Sequence, residues 1–314
     1  VILPQQGRLA VPVFARPQAE SDDFVLPLSF SARLRDLGIM PGDVKRTRIH
    51  ALHSVGSMRV DLWRNAAVAV RDVLIGAQET VTPQGDSVMP FVSRIVDNVL
   101  ADGNVMLGLT GLRAHDSYTH AHSVNVCILS SLIGRSLGLS RAELVSMGTG
   151  AILHDLGKVF IDNHLLIKNG PLTNDEVETI RHHTESGYAA LLEGAFMEPA
   201  AAATVLQHHE RLDGSGYPHG LRDTDLGLFS RIVAVADVFD ALSNDRPYRP
   251  AFAPERCLHI LLEDEHNKLW IDAVAALVLT LTADPDNRFL TPKGGDPVAG
   301  LAFPGSSWVP TLPV

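Results

Sequence analysis

Ile232-Val233-Ala234-Val235-Ala236-Asp237-Val238 sets one carboxylate into an otherwise unbroken apolar run. The run reads as part of a helix from Arg231 to Ser243, with Ser230 expected as its N-cap. A helix this apolar belongs in the middle of a helical bundle. An ionised carboxylate there is a serious fault unless a cation or a strong donor meets it. Asp237 therefore points at once to an all-α fold and to a cation-binding group in its core.

Upstream segments carry groups of the same kind. Ile152-Leu153-His154-Asp155-Leu156-Gly157-Lys158 places a His-Asp pair at the end of an apolar helix, where buried charge again needs a partner. His208-His209-Glu210 closes another helix and runs into Asp213-Gly214-Ser215-Gly216-Tyr217-Pro218, a tight turn able to present backbone amides to a ligand. His122 and His183 stand singly, and a lone helical histidine is more often an ordinary surface or core residue than a ligand. The ordered set is harder to dismiss. His122, His154-Asp155, His183, His208-His209 and Asp237 are five segments, each offering one group or a pair, which is how a helical bundle builds a dinuclear centre. Imidazole and carboxylate without thiolate suit Fe, Mn, Zn or Ni.

The bulk properties agree with a helical reading. Across 314 residues, 46% apolar content suffices for a core, and 6% aromatic content with abundant Ala and Leu favours helix-on-helix packing. A formal charge of −10 with no long basic run argues against a nucleic acid polymer as partner. It leaves room for a small phosphate ligand held by a few cations. Cys127 and Cys257 form no CxxC pair, so neither a thiolate zinc site nor a disulfide framework is expected, and Cys127 reads as a core residue. No signal-peptide pattern follows Val1, and Ala273 to Leu281 is too short to span a bilayer, so a cytoplasmic location with no membrane partner is expected.

Residues 1–112 read as a mainly helical N-terminal region that is sensory or regulatory or scaffolds the rest. It has a short helix around Phe30 to Leu37 and one apolar face made by Met58, Leu62, Trp63, Ala66, Val70 and Leu74. Thr82-Pro83-Gln84-Gly85 breaks that run before a second one, Val88 to Val105. Residues 113–283 are better punctuated. Ser140-x-x-Glu143 and Thr173-x-x-Glu176 are capping boxes for the helices leading to His154 and His183. Pro199 suits the first turn of the helix ending at His208, and Pro254 starts another that reaches the Glu263 region. Residues 284–314, rich in Gly and Pro, read as a tail. No strand pattern stands out.

Three stretches bear a family likeness. His154-Asp155-x-Gly157-Lys158, His208-His209-Glu210-Arg211-x-Asp213-Gly214-Ser215-Gly216-Tyr217-Pro218 and Asp237-x-x-Asp240-Ala241-Leu242-x-x-Asp245-Arg246-Pro247-Tyr248-Arg249-Pro250 resemble the HD-GYP family, a branch of the HD-domain metal-dependent phosphohydrolases. Their spacings, Tyr118-Thr119-x-x-His122-Ser123, Lys168 and His183-x-x-x-Gly187 also fit. The likeness runs from about Asp116 to Ala283.

The resemblance implies an all-α, HD-type bundle and a specific site. His122, His154, Asp155 and Asp237 would hold one divalent metal. Asp155, bridging, would hold a second with His183, His208 and His209. Fe or Mn is favoured, with Zn and Ni also suited. Lys158 would contact a phosphate oxygen or assist the leaving oxygen. Gly216 and Tyr217 would line the substrate pocket, Arg246 and Arg249 would grip phosphates, and Asp240 would orient a ligand or hydrogen-bond the bridging water. Asp162, Asn163 and Gly227 stand where the family usually has Pro, Asp and Pro. Tyr118 stands where some members place a Glu for a third metal, so two metals are expected. The implied activity is hydrolysis of cyclic di-GMP to pGpG and onward to GMP, in bacterial second-messenger signalling with signalling protein partners. The alternatives are a low-turnover module that binds a cyclic dinucleotide and an HD hydrolase of another phosphoester.

Overall fold

The computed structural model describes residues 57–80, 87–110, 118–168, 170–193, 198–244, 251–252, 254–265 and 267–282. The readings made above for Phe30 to Leu37, the 82–85 break, Arg246, Arg249 and the tail 284–314 lie outside them, as do the side chains of Met58 and Tyr118. The described residues are helical, with no strand among them beyond an isolated bridge between Asp213 and Arg222. The all-α expectation holds.

The first helix, α1 (Ser57–Thr80), buries Leu62, Trp63, Ala66 and Val70 on its predicted face, with Leu74 half-buried beside them. The run expected over Val88 to Val105 divides into α2 (Met89–Ala101) and α3 (Gly103–Leu109). The break falls at Asp102, whose extended backbone (φ −158°) stops the helix where Asp and Gly, both poor helix formers, follow one another.

The bundle's centre is α4 (Tyr118–Ser136), packed against α1, α2, α5 (Arg141–Ile152), α10 (Leu228–Ser243) and α12 (Ile271–Thr282). Val124, Ile128 and Ile133 of α4, Leu144 and Met147 of α5, Ile232 and Val233 of α10 and Leu277 of α12 join Trp63 in one hydrophobic cluster. Trp63 also donates from Nε1 to Asn125 Oδ1 at 3.0 Å, and Asn125 Nδ2 donates to the Thr110 carbonyl at 3.1 Å. That pairing satisfies buried polar groups and ties α1 to α4 one turn from His122. Cys127 is buried in the same cluster, where burial pushes its thiol up to about 12, as suits a core residue.

The remaining elements carry the site. After α5 come a 3-10 segment (Leu156–Phe160), α6 (Asn163–Leu166), α7 (Asn174–Arg181), α8 (His183–Glu193) and α9 (Pro199–Gln207). Both capping boxes form, Ser140 with Glu143 and Thr173 with Glu176. Pro199 stands at the start of α9, and α11 (Pro254–His259) passes into a π-helical turn, Ile260–Asp264. Asp162 caps α6 by accepting from His164 N at 2.8 Å, which gives that departure from the usual Pro a structural use.

The reading of Ser230 as a cap is corrected. Helix α10 starts at Leu228 with Gly227 at the N-cap, and Ser230 Oγ instead donates to Gln207 Oε1 at 2.9 Å. The same oxygen accepts the Gly227 amide at 3.4 Å, so a glutamine from the end of α9 closes the helix start. No described helix is long and apolar enough to cross a membrane.

Candidate metal centre

Five elements converge on one buried cluster: α4 brings His122, the turn after α5 brings His154 and Asp155, α8 brings His183, the end of α9 brings His208 and His209, and α10 brings Asp237. Their ligand atoms fall into two groups, each within 4.8 Å internally: His122, His154 and Asp237, and Asp155, His183, His208 and His209. All but His209, which is half-buried, are almost wholly removed from solvent.

Chain geometry fixes which nitrogen each ring offers. His154 Nδ1 lies 2.7 Å from Ala151 O, His183 Nδ1 2.7 Å from Ile180 O and His208 Nδ1 2.9 Å from Val205 O. A carbonyl only accepts, so each Nδ1 carries the proton and each Nε2 keeps its lone pair for the cluster. Every one of these anchors is the carbonyl three residues back, in the last turn of the preceding helix. His122 is held differently, donating from Nδ1 to Asp240 Oδ2 at 2.7 Å, while Asp240 Oδ1 accepts from Asn244 Nδ2 at 2.8 Å.

The inward atoms are short of partners. His154 Nε2 and Asp155 Oδ1 are buried with no hydrogen bond. His183 Nε2 and His208 Nε2 face each other at 3.4 Å, two lone pairs with no proton left to share. His122 Nε2 sits 3.1 Å from Asp237 Oδ1. Asp155 borders both groups: Oδ2 lies 3.3 Å from His154 Nε2 and 3.8 Å from His122 Nε2, and Oδ1 lies 3.5 Å from His183 Nε2 and 3.9 Å from His208 Nε2. Orphaned acceptors converging on two foci are what divalent cations would satisfy, so the residues present fit a metal.

Electrostatics follow from this packing. Burial pushes the Asp155 carboxyl up, but Lys158, His154 and His183 together outweigh it and hold the group well below the usual carboxylate range. Asp237 behaves alike, with His122 the chief opposing influence. Burial drives His208 and His209 well below the usual imidazole range, which keeps both neutral. Burial acts the same way on His122, yet Asp237 and Asp240 reverse it and raise that ring to about 9.

Around the cluster, Lys158 Nζ donates to Asp155 Oδ2 at 2.6 Å from a half-buried position. Tyr217 stacks on His209 with centroids 4.7 Å apart and 24° between planes, and the Arg181 guanidinium lies 5.1 Å over the Tyr217 ring. Gly216 packs so tightly on the Glu210 and Arg211 backbone that a Cβ has no room. An open cleft of about 260 Å³ is lined by Lys158, His209, Asp155 and Asp237 beside Arg211. Tyr217 borders the cluster through His209 and is not among the residues lining that cleft. Sequence reasoning passed over Arg181, Arg211, Asn244 and Glu210. Glu210 is buried and accepts the His219 and Leu221 amides at 2.7 and 3.0 Å, pinning the Gly-rich turn. An acid directly after a ligand pair was the signal that could have found it.

The family model described as HD domain matches residues 109–274. The chain is similar to a cyclic di-GMP phosphodiesterase of Pseudomonas aeruginosa, at 36% identity over 173 residues, 55% of this chain and 42% of that protein. It is 35% identical to the 3'3'-cGAMP-specific phosphodiesterase 3 of Vibrio cholerae over 187 residues, 58% of this chain and 40% of that one. It is 42% identical to the cyclic di-GMP phosphodiesterase response regulator RpfG of Xanthomonas campestris over 149 residues, 46% of this chain and 39% of that one. The chain thus spans about two fifths of the length of these relatives. Among solved structures, Bd1817, a HDG"Y"P protein from Bdellovibrio bacteriovorus, aligns over 76% of each chain with a TM-score of 0.60 at 17% identity, a likeness of fold.

Proposed function

Because this chain belongs to the HD-domain family, we propose that it is a metal-dependent phosphodiesterase acting on a cyclic dinucleotide, with cyclic di-GMP as the substrate and pGpG as the first product. One observation carries the reading: Asp155 presents its two carboxylate oxygens to two separate groups of imidazoles, and two of the inward atoms, His154 Nε2 and Asp155 Oδ1, are buried with no hydrogen bond. In this reading His122, His154 and Asp237 would hold one cation and His183, His208 and His209 another, with Asp155 serving both. Fe or Mn suits the donor set best, with Zn and Ni acceptable. Once bound, a cation pair supplies Lewis-acid activation of water and offsets charge on phosphoryl oxygens.

The chain's own groups do the rest. The three backbone carbonyls hold His154, His183 and His208 in the tautomer that leaves Nε2 bare, and Asp240 fixes the His122 ring through Nδ1. Lys158, beside the bridging carboxylate and facing the cleft, contacts a phosphate oxygen or hands a proton from Nζ to the leaving oxygen. Tyr217 braces His209 from the other face. The two helices of residues 57–101 act as scaffold for α4. The named activities of the relatives support the substrate, two of the three being cyclic di-GMP phosphodiesterases and one specific for 3'3'-cGAMP.

The test is anaerobic reconstitution with Fe or Mn, elemental analysis of metal per chain, and chromatography of products from cyclic di-GMP and 3'3'-cGAMP. Two metals per chain with metal-dependent pGpG support the reading. Tight binding without product leaves a dinucleotide-binding module, and preference for 3'3'-cGAMP changes the substrate.

A further inference from the structure

One lysine and one arginine, Lys158 and Arg211, line the cleft beside the metal-ligand cluster, and they are held in opposite ways. Lys158 is spoken for: its ammonium sits on Asp155 Oδ2 at 2.6 Å. Arg211 meets no carboxylate within ion-pair distance among the described residues. Its Nη1 donates to the carbonyls of His208 and Glu210 at 3.3 and 2.9 Å. These contacts use one arm of the guanidinium, fix its plane at the end of α9, and leave Nε and Nη2 without protein acceptors among the described residues. A half-buried guanidinium with an unused edge, lining the cleft and paired with neither Asp155 nor Asp237, is arranged for an oxyanion.

The substrate proposed above, on which this inference rests, carries two phosphodiesters in one ring. The first must lie at the ligand cluster, where the reacting bond is cut. The second, which is not cut in that turnover, needs a partner of its own in the same cleft. We propose that Arg211 is a specificity-determining residue that grips this second phosphate, taking two of its non-bridging oxygens on the Nε–Nη2 edge. The nearby Leu242 and Val238 give that end of the cleft an apolar wall, which keeps the contact less screened than one in open solvent. A substrate with a single phosphodiester cannot use Arg211 in this way. The residue therefore separates cyclic dinucleotides from simple phosphodiesters.

The experiment compares metal-loaded wild type with Arg211→Gln and Arg211→Lys on cyclic di-GMP and on bis(p-nitrophenyl) phosphate, which has one phosphate. It also measures the Kd of a bis-phosphorothioate analogue of cyclic di-GMP. Loss of a charge-assisted contact predicts that the ratio of kcat/KM for the dinucleotide to that for the nitrophenyl ester falls on the order of 10-fold or more in Arg211→Gln. The fall should lie in KM, with Kd for the analogue rising in step. Arg211→Lys, which keeps charge without the planar fork, should fall between, and it carries the test if the Gln variant does not fold. An unchanged ratio in the folded variants, whether both activities drop together or neither does, overturns the proposal and leaves Arg211 as a helix-end cap. A wild type that cleaves the nitrophenyl ester but neither binds nor cleaves the dinucleotide overturns the substrate reading, and this inference with it.

Discussion

Gly157 lies against the backbone of His183: a Cβ there would run into the His183 carbonyl oxygen and stand 2.6 Å from the Gly187 nitrogen. Gly187 is equally close on the other side, its own Cβ position being 2.9 Å from Gly157 N. The two glycines let the segment after His154-Asp155 approach the first turns of α8, which is what brings Asp155 Oδ1 within 3.5 Å of His183 Nε2. Since the obstruction is backbone, it cannot be relieved by a rotamer change. Gly157→Ala should therefore cost on the order of 3 kcal/mol, a fall in melting temperature of roughly 6–12 °C. The same variant should lose metal through the displaced His183. Calorimetry and elemental analysis check both, and wild-type values in each would show that the segments can part without harm.

Asp240 touches no proposed metal position, yet it decides what His122 offers. With Oδ2 accepting from Nδ1 at 2.7 Å, Nε2 of that ring is turned toward Asp237 and Asp155. Asp240→Ala frees the ring and its tautomer, and metal affinity should drop by about 10–100-fold. Asp240→Asn retains an acceptor oxygen and should lose less. Competition titration with a chromophoric chelator measures both, and an alanine variant that binds metal as tightly as wild type would refute the orienting role.

Much of this site could be read from the sequence because its parts violate ordinary rules of burial. Asp237 announced itself by standing in an apolar helix, and His154-Asp155 and His208-His209 by ending apolar helices with polar pairs. The fold class came from the same helices. What escaped was whatever depends on where a helix stops. Ser230 looked like a cap until α10 began at Leu228 and Gln207 took over the helix start. The anchoring of His154, His183 and His208 through carbonyls three residues earlier needs chain ends that periodicity does not locate to one residue. Arg211 escaped for a different reason: a single arginine in a turn has no signature until the cleft it faces is known.

Glu176 plays two parts that a conservative change separates. It completes the capping box with Thr173, and its carboxylate accepts from Lys168 Nζ at 2.6 and 2.7 Å, tying α7 to the segment after α6. The Lys168 ammonium, followed by the Thr173 amide, holds the Glu176 carboxyl below its usual 4.5. A carboxylate with a lowered folded-state pKa contributes stability that is present above the unfolded value and lost as pH falls through the folded one. Glu176→Gln keeps the box and removes the charge. Its melting temperature should be slightly below wild type at pH 7, and the two curves should converge well below pH 4.5. A constant gap at all pH values would assign the difference to the cap instead.

Asp155 and Lys158 are joined by one short hydrogen bond but should fail in different ways. Asp155 is the carboxylate that faces both groups of imidazoles, so its removal leaves neither focus complete. Asp155→Ala should lose metal and activity together. Lys158 meets the cluster through Asp155 Oδ2 alone, and its ammonium faces the cleft. Lys158→Ala removes a positive neighbour from a carboxylate that cations would hold more strongly, so metal content should stay near wild type. Turnover should nevertheless fall on the order of 10²-fold, the scale of a lost proton donor or phosphate contact. Elemental analysis beside single-turnover kinetics separates the two residues. Full metal occupancy in Asp155→Ala would end its bridging role, and normal turnover in Lys158→Ala would remove Lys158 from the chemistry.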